Sequence, residues 1–385
     1  MRGTSLLGEG DIEPPGREGG TLREMVSRDE VAAGPRLERR QFLRAASATG
    51  VAVAAGAQLT SGLAAAATDE PSAPDLVGVA ADDGSRVIAQ HVLDAQTIDI
   101  TVDSAALGQT ANARILLPRG FSSATRETWP LCYLLHGGLG SYVDWTESSD
   151  VATLARSADV LVVMPDGGQL GFYTDWWNDG AGNKPAWETF HLTELREILE
   201  RGLRAGEERA IAGLSMGGFG AMSYAGRHPE LFRAAAAFSG NLDVTQPTVT
   251  PVSDDPYPTW LMETFLTPMG YDALALFGDP TAQADIWAAH NPVDLVENLR
   301  GLTLYVSCGN GEPGPLDPSD TDPSGLLAQL ETALLAHNES FVAGAQSFDV
   351  DVTTDFYGPG THTWPYWDRQ LHAAFPILMR AIGAL

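Results

Sequence analysis

Two glycines four residues apart, with a serine midway between them, set the tightest limit on what this chain can fold into. The hexapeptide Gly213-Leu214-Ser215-Met216-Gly217-Gly218 follows an apolar run at 209–212 that reads as a short buried strand. It precedes residues 219–225, which read as a helix. A strand that becomes a helix through G-x-S-x-G turns so sharply that the serine is held in a strained conformation with its hydroxyl exposed above the sheet. Side chains two positions before and two after that serine would collide in the turn, so Gly213 and Gly217 are needed there. The pattern alone is common by chance; its strand and helix flanks make Ser215 a candidate nucleophile.

Short apolar runs at 131–135, 160–164, 209–212 and 234–238 have the continuous character of strands covered on both faces. Residues 97–102 and 113–117 read as a hairpin pair before them, and 302–307 and 348–352 as strands after them. Helical stretches are expected at 151–158, 187–203, 218–227, 292–299, 324–335 and 366–382. In the second of these, Leu192, Leu195, Leu199 and Leu203 recur on one face. Eight strands, the fifth ending at Ser215, describe an α/β-hydrolase fold: a mostly parallel eight-stranded sheet with helices on both faces. Residues 97–385 form its domain and 68–96 a linker. The segment from Asn241 to Asp285, rich in Pro, Thr and aromatic residues, is expected to wall or cap the site.

Residues 1–67 read as a leader to be removed. Arg39-Arg40-Gln41-Phe42-Leu43-Arg44 is a twin-arginine export signature, and an alanine-rich apolar stretch follows to about Leu63. Small residues at 64–67 offer a cleavage site, and Met25 is an alternative start. What remains is long enough for one large α/β domain with a sizeable core. The expectation is therefore a secreted or cell-envelope protein with no membrane span. A net charge of −27 with a single lysine, Lys184, excludes nucleic acid and anionic membranes as partners. Cys132 and Cys308 lie on nonadjacent strands, too far apart to bridge, and are expected as buried free thiols. No Cys/His cluster has zinc spacing. Glu188 and His191 stand three apart on a helix, with no second copy of the pair, and read as a helix-surface hydrogen bond. No metal or cofactor is expected.

A serine nucleophile needs a base, and the base an orienting acid, in the chain order Ser, acid, His. Beyond the last strand only His362 and His372 remain. His362 lies in the turn-rich Gly358-Pro359-Gly360-Thr361-His362-Thr363-Trp364, where an imidazole can swing over the elbow; His372 falls within a helix pattern. The acid is either Glu312, in the loop after 302–307, or Glu331, on the next helix. Asp317, Asp320 and Asp322 read as a solvated turn. An oxyanion hole requires two backbone N–H groups, from Met216 and from the His136-Gly137-Gly138-Leu139-Gly140 loop, with Gly138 the expected donor.

These residues resemble the esterase D superfamily, and most closely the secreted mycolyltransferases of the antigen 85 type, from about residue 97 to 382. The marks are Met164-Pro165, Gly171-Phe172-Tyr173-Thr174-Asp175-Trp176, Trp187-Glu188-Thr189-Phe190, Gly213-Leu214-Ser215-Met216, Cys308-Gly309-Asn310-Gly311 and Gly360-Thr361-His362-Thr363-Trp364. The resemblance implies acyl transfer through a serine acyl-enzyme. That family carries its acid in a Leu-Glu pair seven residues before an Asn, and Leu330-Glu331 with Asn338 fits, so the resemblance favours Glu331. It also implies a free Cys308 thiol close to the triad. Where the family holds trehalose with an Asp and an Arg after the strand at 131–135, this chain has neither, and His-Gly-Gly is closer to general esterases. Trp176 and Trp364, together with Phe172, Tyr173 and Trp177, are candidate walls for an ester or acylated-sugar substrate. Two classes of function follow: a serine ester hydrolase or acyltransferase to a sugar or alcohol, or a non-catalytic relative that binds carbohydrate or matrix protein. The persistence of both Ser215 and His362 favours the enzyme.

Overall fold

Strands that are apolar at every position must be covered on both faces, and the architecture follows from that. The computed structural model describes residues 73–122, 128–180, 184–245, 266–267, 270–272 and 274–385; the expected leader lies outside them. Among the described residues nine strands form one sheet: β1 Arg86–Val92, β2 Thr97–Ser104, β3 Gln109–Leu116, β4 Trp129–Leu135, β5 Leu161–Pro165, β6 Ala205–Leu214, β7 Ala234–Phe238, β8 Thr303–Cys308 and β9 Thr353–Phe356. Their order across the sheet is β1-β2-β3-β5-β4-β6-β7-β8-β9. The first three pair antiparallel and everything from β5 to β9 runs parallel. This is the α/β-hydrolase fold.

Side chains alternate between two cores with the period of a strand. Leu131, Tyr133 and Leu135 of β4 enter one layer, and Cys132 and Leu134 the other. The first layer is closed by α3, the helical run at 187–203, and by α4 (Met216–Arg227); the second by α7 (Trp364–Ala381) with α1 (Asp144–Ser148) and α2 (Val151–Ala155). Ala235 and Ala237 of β7, the two that face this layer, let α4 approach closely, and a Cβ on Gly218 would come within 2.8 Å of Gly240 Cα.

Three expectations are corrected. The linker segment contains β1, an edge strand with Val87 as its one buried residue, so it carried no apolar periodicity. The last strand lies at β9 rather than 348–352, because helix α6 (Leu326–Ser347) runs well past 335. Its polar His337 and Asn338 look like a stop signal but are buried, and Asn338 donates to the Gly240 and Leu334 carbonyls. The helix at 187–203 is composite: Trp187–Thr189, a wider π-helical stretch Phe190–Leu195, then Arg196–Leu203, together α3. The four expected leucines are buried. The wide turn also buries His191 and Glu194, consistent with the habit of π-turns to redirect side chains. A further helix, α5 (Ala284–His290), closes the segment expected to cap the site.

Burial pushes His191 down to about 3 and His337 down to about 4, and it lowers His136 as well. An unfolded histidine titrates near 6.5. Below that pH the unfolded chain gains protons that these three buried rings refuse. Their stabilising contribution is therefore complete above about pH 6.5 and is lost as pH falls toward 3, at up to about 1.4 kcal/mol per pH unit per ring. Urea midpoints measured from pH 7.5 to 4.5 should fall more steeply for the native chain than for His191→Gln. Parallel curves would contradict the assignment.

Candidate active site

Ser215 occupies the one-residue joint between β6 and α4 with φ 54° and ψ −120°. Positive φ is costly for a residue with a Cβ, and such strain persists only where the surroundings enforce it. Here a Cβ on Gly213 would overlap the Gly217 carbonyl, and one on Gly217 would overlap the Leu135 carbonyl. Crossing backbones thus force both glycines, as the motif predicts. The Ser215 N–H is fixed on the Phe238 carbonyl at 2.9 Å.

Leu214, Phe238 and Ser307 sit in register on β6, β7 and β8. The residues that follow them, Ser215, Ser239 and Cys308, therefore line the carboxyl edge of the sheet. Over this edge stand Glu331 and His362. The His362 Nδ1 lies 2.7 Å from Glu331 Oε2, with the carboxylate fully buried and the imidazole nearly so. The second oxygen, Oε1, accepts from Ser239 Oγ (2.7 Å), Gly309 N–H (2.7 Å), Tyr357 Oη (3.2 Å) and Cys308 Sγ (3.4 Å). Ser239 also has positive φ, at 49°, and accepts from the Trp367 indole, which meets the His362 ring edge-on at 4.8 Å. Glu312 is exposed and bonded to Asn310, away from the imidazole. His372 is half-exposed beside Asp150.

Among the described residues neither the Gly138 nor the Met216 N–H has a backbone acceptor; Gly138 is exposed and Met216 buried. The loop before Gly138 is sewn down by His136. Gly167 N–H donates to its Nε2 at 2.9 Å, so Nδ1 carries the proton and donates to the Gly137 carbonyl at 2.7 Å. Tyr173 Oη donates to the His136 carbonyl, and Leu139 N–H to the Gln169 carbonyl. Phe172 and Tyr173 adopt φ of 50° and 47°, so backbone strain gathers beside this loop as well.

Trp176 is almost wholly buried in the core with its indole on the Gly171 carbonyl, as are Phe172 and Tyr173. Trp364 is half-buried, two residues from His362, and packs on Trp145 and Trp367. Cys132 and Cys308 are free and buried; burial and the neighbouring Glu331 push the Cys308 thiol well above its usual range. Glu188 and His191 are both buried rather than surface partners. Glu188 holds Arg227 and His228, while His191 bridges Tyr224 Oη and the Asp166 carbonyl. Two neighbours escaped the sequence reading. Ser239 carries no motif of its own, and Asp317 accepts from Thr361 and Tyr366 instead of facing solvent as a plain turn.

An α/β-hydrolase sheet with a strained serine elbow and an acid–imidazole pair at its carboxyl edge defines a class of proteins. The family described as "Putative esterase" matches residues 104–378, and the chain belongs to it. At family level the chemistry is ester hydrolysis and acyl transfer. The chain is 31% identical to the diacylglycerol acyltransferase/mycolyltransferase Ag85A of Mycobacterium tuberculosis over 264 residues, 66% of this chain and 74% of that one. With Ag85B of Mycobacterium intracellulare it shares 29% over 340 residues, covering 86% and 95%. Solved structures sharing the fold include Mycobacterium tuberculosis MPT51 (TM-score 0.58, 24% identity, 72% and 96% covered). An S-formylglutathione hydrolase from Agrobacterium tumefaciens also shares it (0.56, 19%, 77% and 99%).

Gly213→Ala drives a Cβ into backbone that cannot yield. The variant should unfold several degrees below the native chain or fail to accumulate, a loss of about 2–4 kcal/mol. An unchanged Tm would mean that the elbow is looser than its dihedrals indicate.

Proposed function

We propose that the chain is an exported serine-dependent ester hydrolase or acyltransferase working through an acyl-enzyme. The observation that carries this reading is the pairing of Glu331 with His362 over the sheet edge where Ser215 is held in its strained elbow. In this reading Ser215 Oγ attacks the ester carbonyl and gives its proton to His362 Nε2. Glu331 keeps the other ring nitrogen protonated and stabilises the imidazolium. The carbonyl oxygen becomes an oxyanion that accepts from Met216 and Gly138 N–H. The C–O bond to the leaving alcohol then breaks, His362 returns the proton to that alcohol, and the acyl group stays on Ser215. Water or a second hydroxyl, its proton taken by His362, releases the acid or a new ester. The half-buried Trp364 and Trp177 are the candidate aromatic walls that remain for substrate.

The curated relatives are named as acyltransferases, which supports transfer to a hydroxyl acceptor. The loop at His136–Gly140 lacks the Asp and Arg with which the mycolyltransferases hold trehalose, so this reading does not extend to trehalose. Export is supported by Arg39-Arg40 and the apolar stretch behind them. No described helix is long and apolar enough to cross a membrane.

On a p-nitrophenyl ester, Ser215→Ala should lose about a million-fold in turnover, as triad nucleophiles do. Glu331→Gln should lose about 10⁴-fold and Glu312→Gln little, the acid's role being to hold the imidazole tautomer. Activity within a hundredfold of native in Ser215→Ala would end the acyl-enzyme reading, and a reversed order of the two glutamates would move the acid. For export, changing Arg39 and Arg40 both to Lys should leave the precursor in the cytoplasm; undiminished secretion would point to another route.

A further inference from the structure

A loop that carries a general base has to hold the ring to a fraction of an ångström. Gly358-Pro359-Gly360 ahead of His362 offers little stiffness of its own, with Gly358 at φ 74°. Backbone bonds tie the near side of this loop to the segment after β8: Asn310 N–H to the Gly358 carbonyl (2.8 Å) and Gly360 N–H to the Glu312 carbonyl (2.7 Å). The far side, around the imidazole itself, is held by the His362 N–H on the Leu327 carbonyl (3.3 Å) and by a carboxylate.

Asp317 Oδ1 accepts from Thr361 Oγ1, and Oδ2 accepts from Gly314 N–H at 2.8 Å and Tyr366 Oη at 2.9 Å. The Tyr366 hydroxyl donates to the carboxylate, an acceptor, while its own oxygen receives the Leu316 N–H at 3.2 Å. Thr361 immediately precedes His362, and Tyr366 lies four residues beyond it in the first turn of α7. The two attachments bracket the imidazole. Tyr366 is fully buried, and its ring lies parallel to Tyr357 at 5.4 Å. Tyr357 in turn donates to Glu331 Oε1, and the Arg369 guanidinium covers both rings, at 4.4 Å and 5.3 Å. One half-buried carboxylate therefore fastens the base and, through the stacked tyrosines, abuts the acid.

We propose that Asp317 is a positioning residue for the reaction: its carboxylate holds the Thr361–Tyr366 backbone so that His362 keeps Nδ1 on Glu331 and its other nitrogen at the reacting serine. The inference rests on the reading of His362 as general base.

The test uses the full-length chain. Asp317→Ala should lower kcat on a p-nitrophenyl ester by about 10- to 100-fold, with KM changed less than about twofold, as a misplaced catalytic group does. The downfield proton resonance of the His362 Nδ1–H should broaden or vanish. Asp317→Asn should recover part of the loss, since its amide oxygen can serve one side while the Thr361 hydroxyl turns acceptor for the NH₂. Asp320→Ala, in the same loop and with the same charge removed, should behave as the native chain. In a His362→Ala background Asp317→Ala should cost nothing further, because groups acting as one unit are not additive. A lower Tm with unchanged kcat, or an undiminished additional loss in the His362→Ala background, would overturn the proposal. If Asp317→Ala does not fold, Tyr366→Phe and Thr361→Val each remove one donor and carry the same expectations. An active Ser215→Ala would sink the acyl-enzyme reading itself, whereas an inactive one beside a fully active Asp317→Ala would sink only the role of Asp317.

Discussion

A fully buried carboxylate is tolerable only where its lone pairs meet donors, and Glu331 is the point on which the rest of this site depends. One oxygen faces the imidazole; the other receives donors from the ends of β7 and β8 and from the loop after β9. Three separate segments thus converge on one side chain. Removing any of them leaves a buried charge less satisfied, so the carboxyl edge of the sheet is organised as a unit around Glu331. The convergence also fixes direction. With Oε1 saturated, Oε2 alone remains for His362, and the ring has one orientation in which its Nδ1–H is satisfied.

The serine side of the site is organised by sterics. Backbone of β4 and β6 closes on the elbow until only glycine fits at Gly213 and Gly217, and the resulting positive φ lifts Ser215 out of the helix it precedes. The loop at 136–140 combines both devices. Hydrogen bonds through His136 hold Gly137 in place, and the strained Phe172-Tyr173 segment packs beneath, its Tyr173 ring occupying space that a side chain on Gly167 or Gly220 would fill. Burial keeps the His136 ring in its neutral form, which its contacts require, since one nitrogen must accept while the other donates.

Features imposed by backbone crowding or by coverage on both faces were legible in the sequence. β4, β5, β6 and β7 announce themselves as continuous apolar runs, and the elbow announces itself through glycine spacing. His362 was legible as a histidine in a turn beyond the last strand. Glu331 was not separable from Glu312 on the residues alone, because nothing in a helix pattern reveals which carboxylate faces inward; the family spacing favoured the one that the structure pairs with His362. Edge strands hid for the opposite reason: β1 and β9 bury few side chains, so their pairing is a backbone matter with no periodic trace. Asp317 hid because a Pro/Ser/Asp stretch reads as solvated turn whether or not a tyrosine and a threonine from elsewhere donate to it. The π-helical stretch likewise leaves the leucine spacing nearly intact while turning His191 and Glu194 inward.

The charge of the chain and the charges of the site are separate matters. A net −27 is carried mainly by solvated carboxylates, whose mutual repulsion is screened over about 10 Å at ordinary ionic strength. The buried carboxylates are different, since each is assigned to donors: Glu188 to Arg227 and His228, Glu194 to Ser104 and the Ala106 N–H, Asp243 to Thr245, Asn291 and Ser340, Glu331 to the sheet edge. Of these four, Glu188 pairs with an arginine, whereas the carboxylate beside the imidazole is held by neutral donors. An arginine there would stabilise the carboxylate but oppose positive charge on the imidazole 2.7 Å away. Neutral donors satisfy the carboxylate without placing a second charge beside the ring, as the proposed base-orienting role requires.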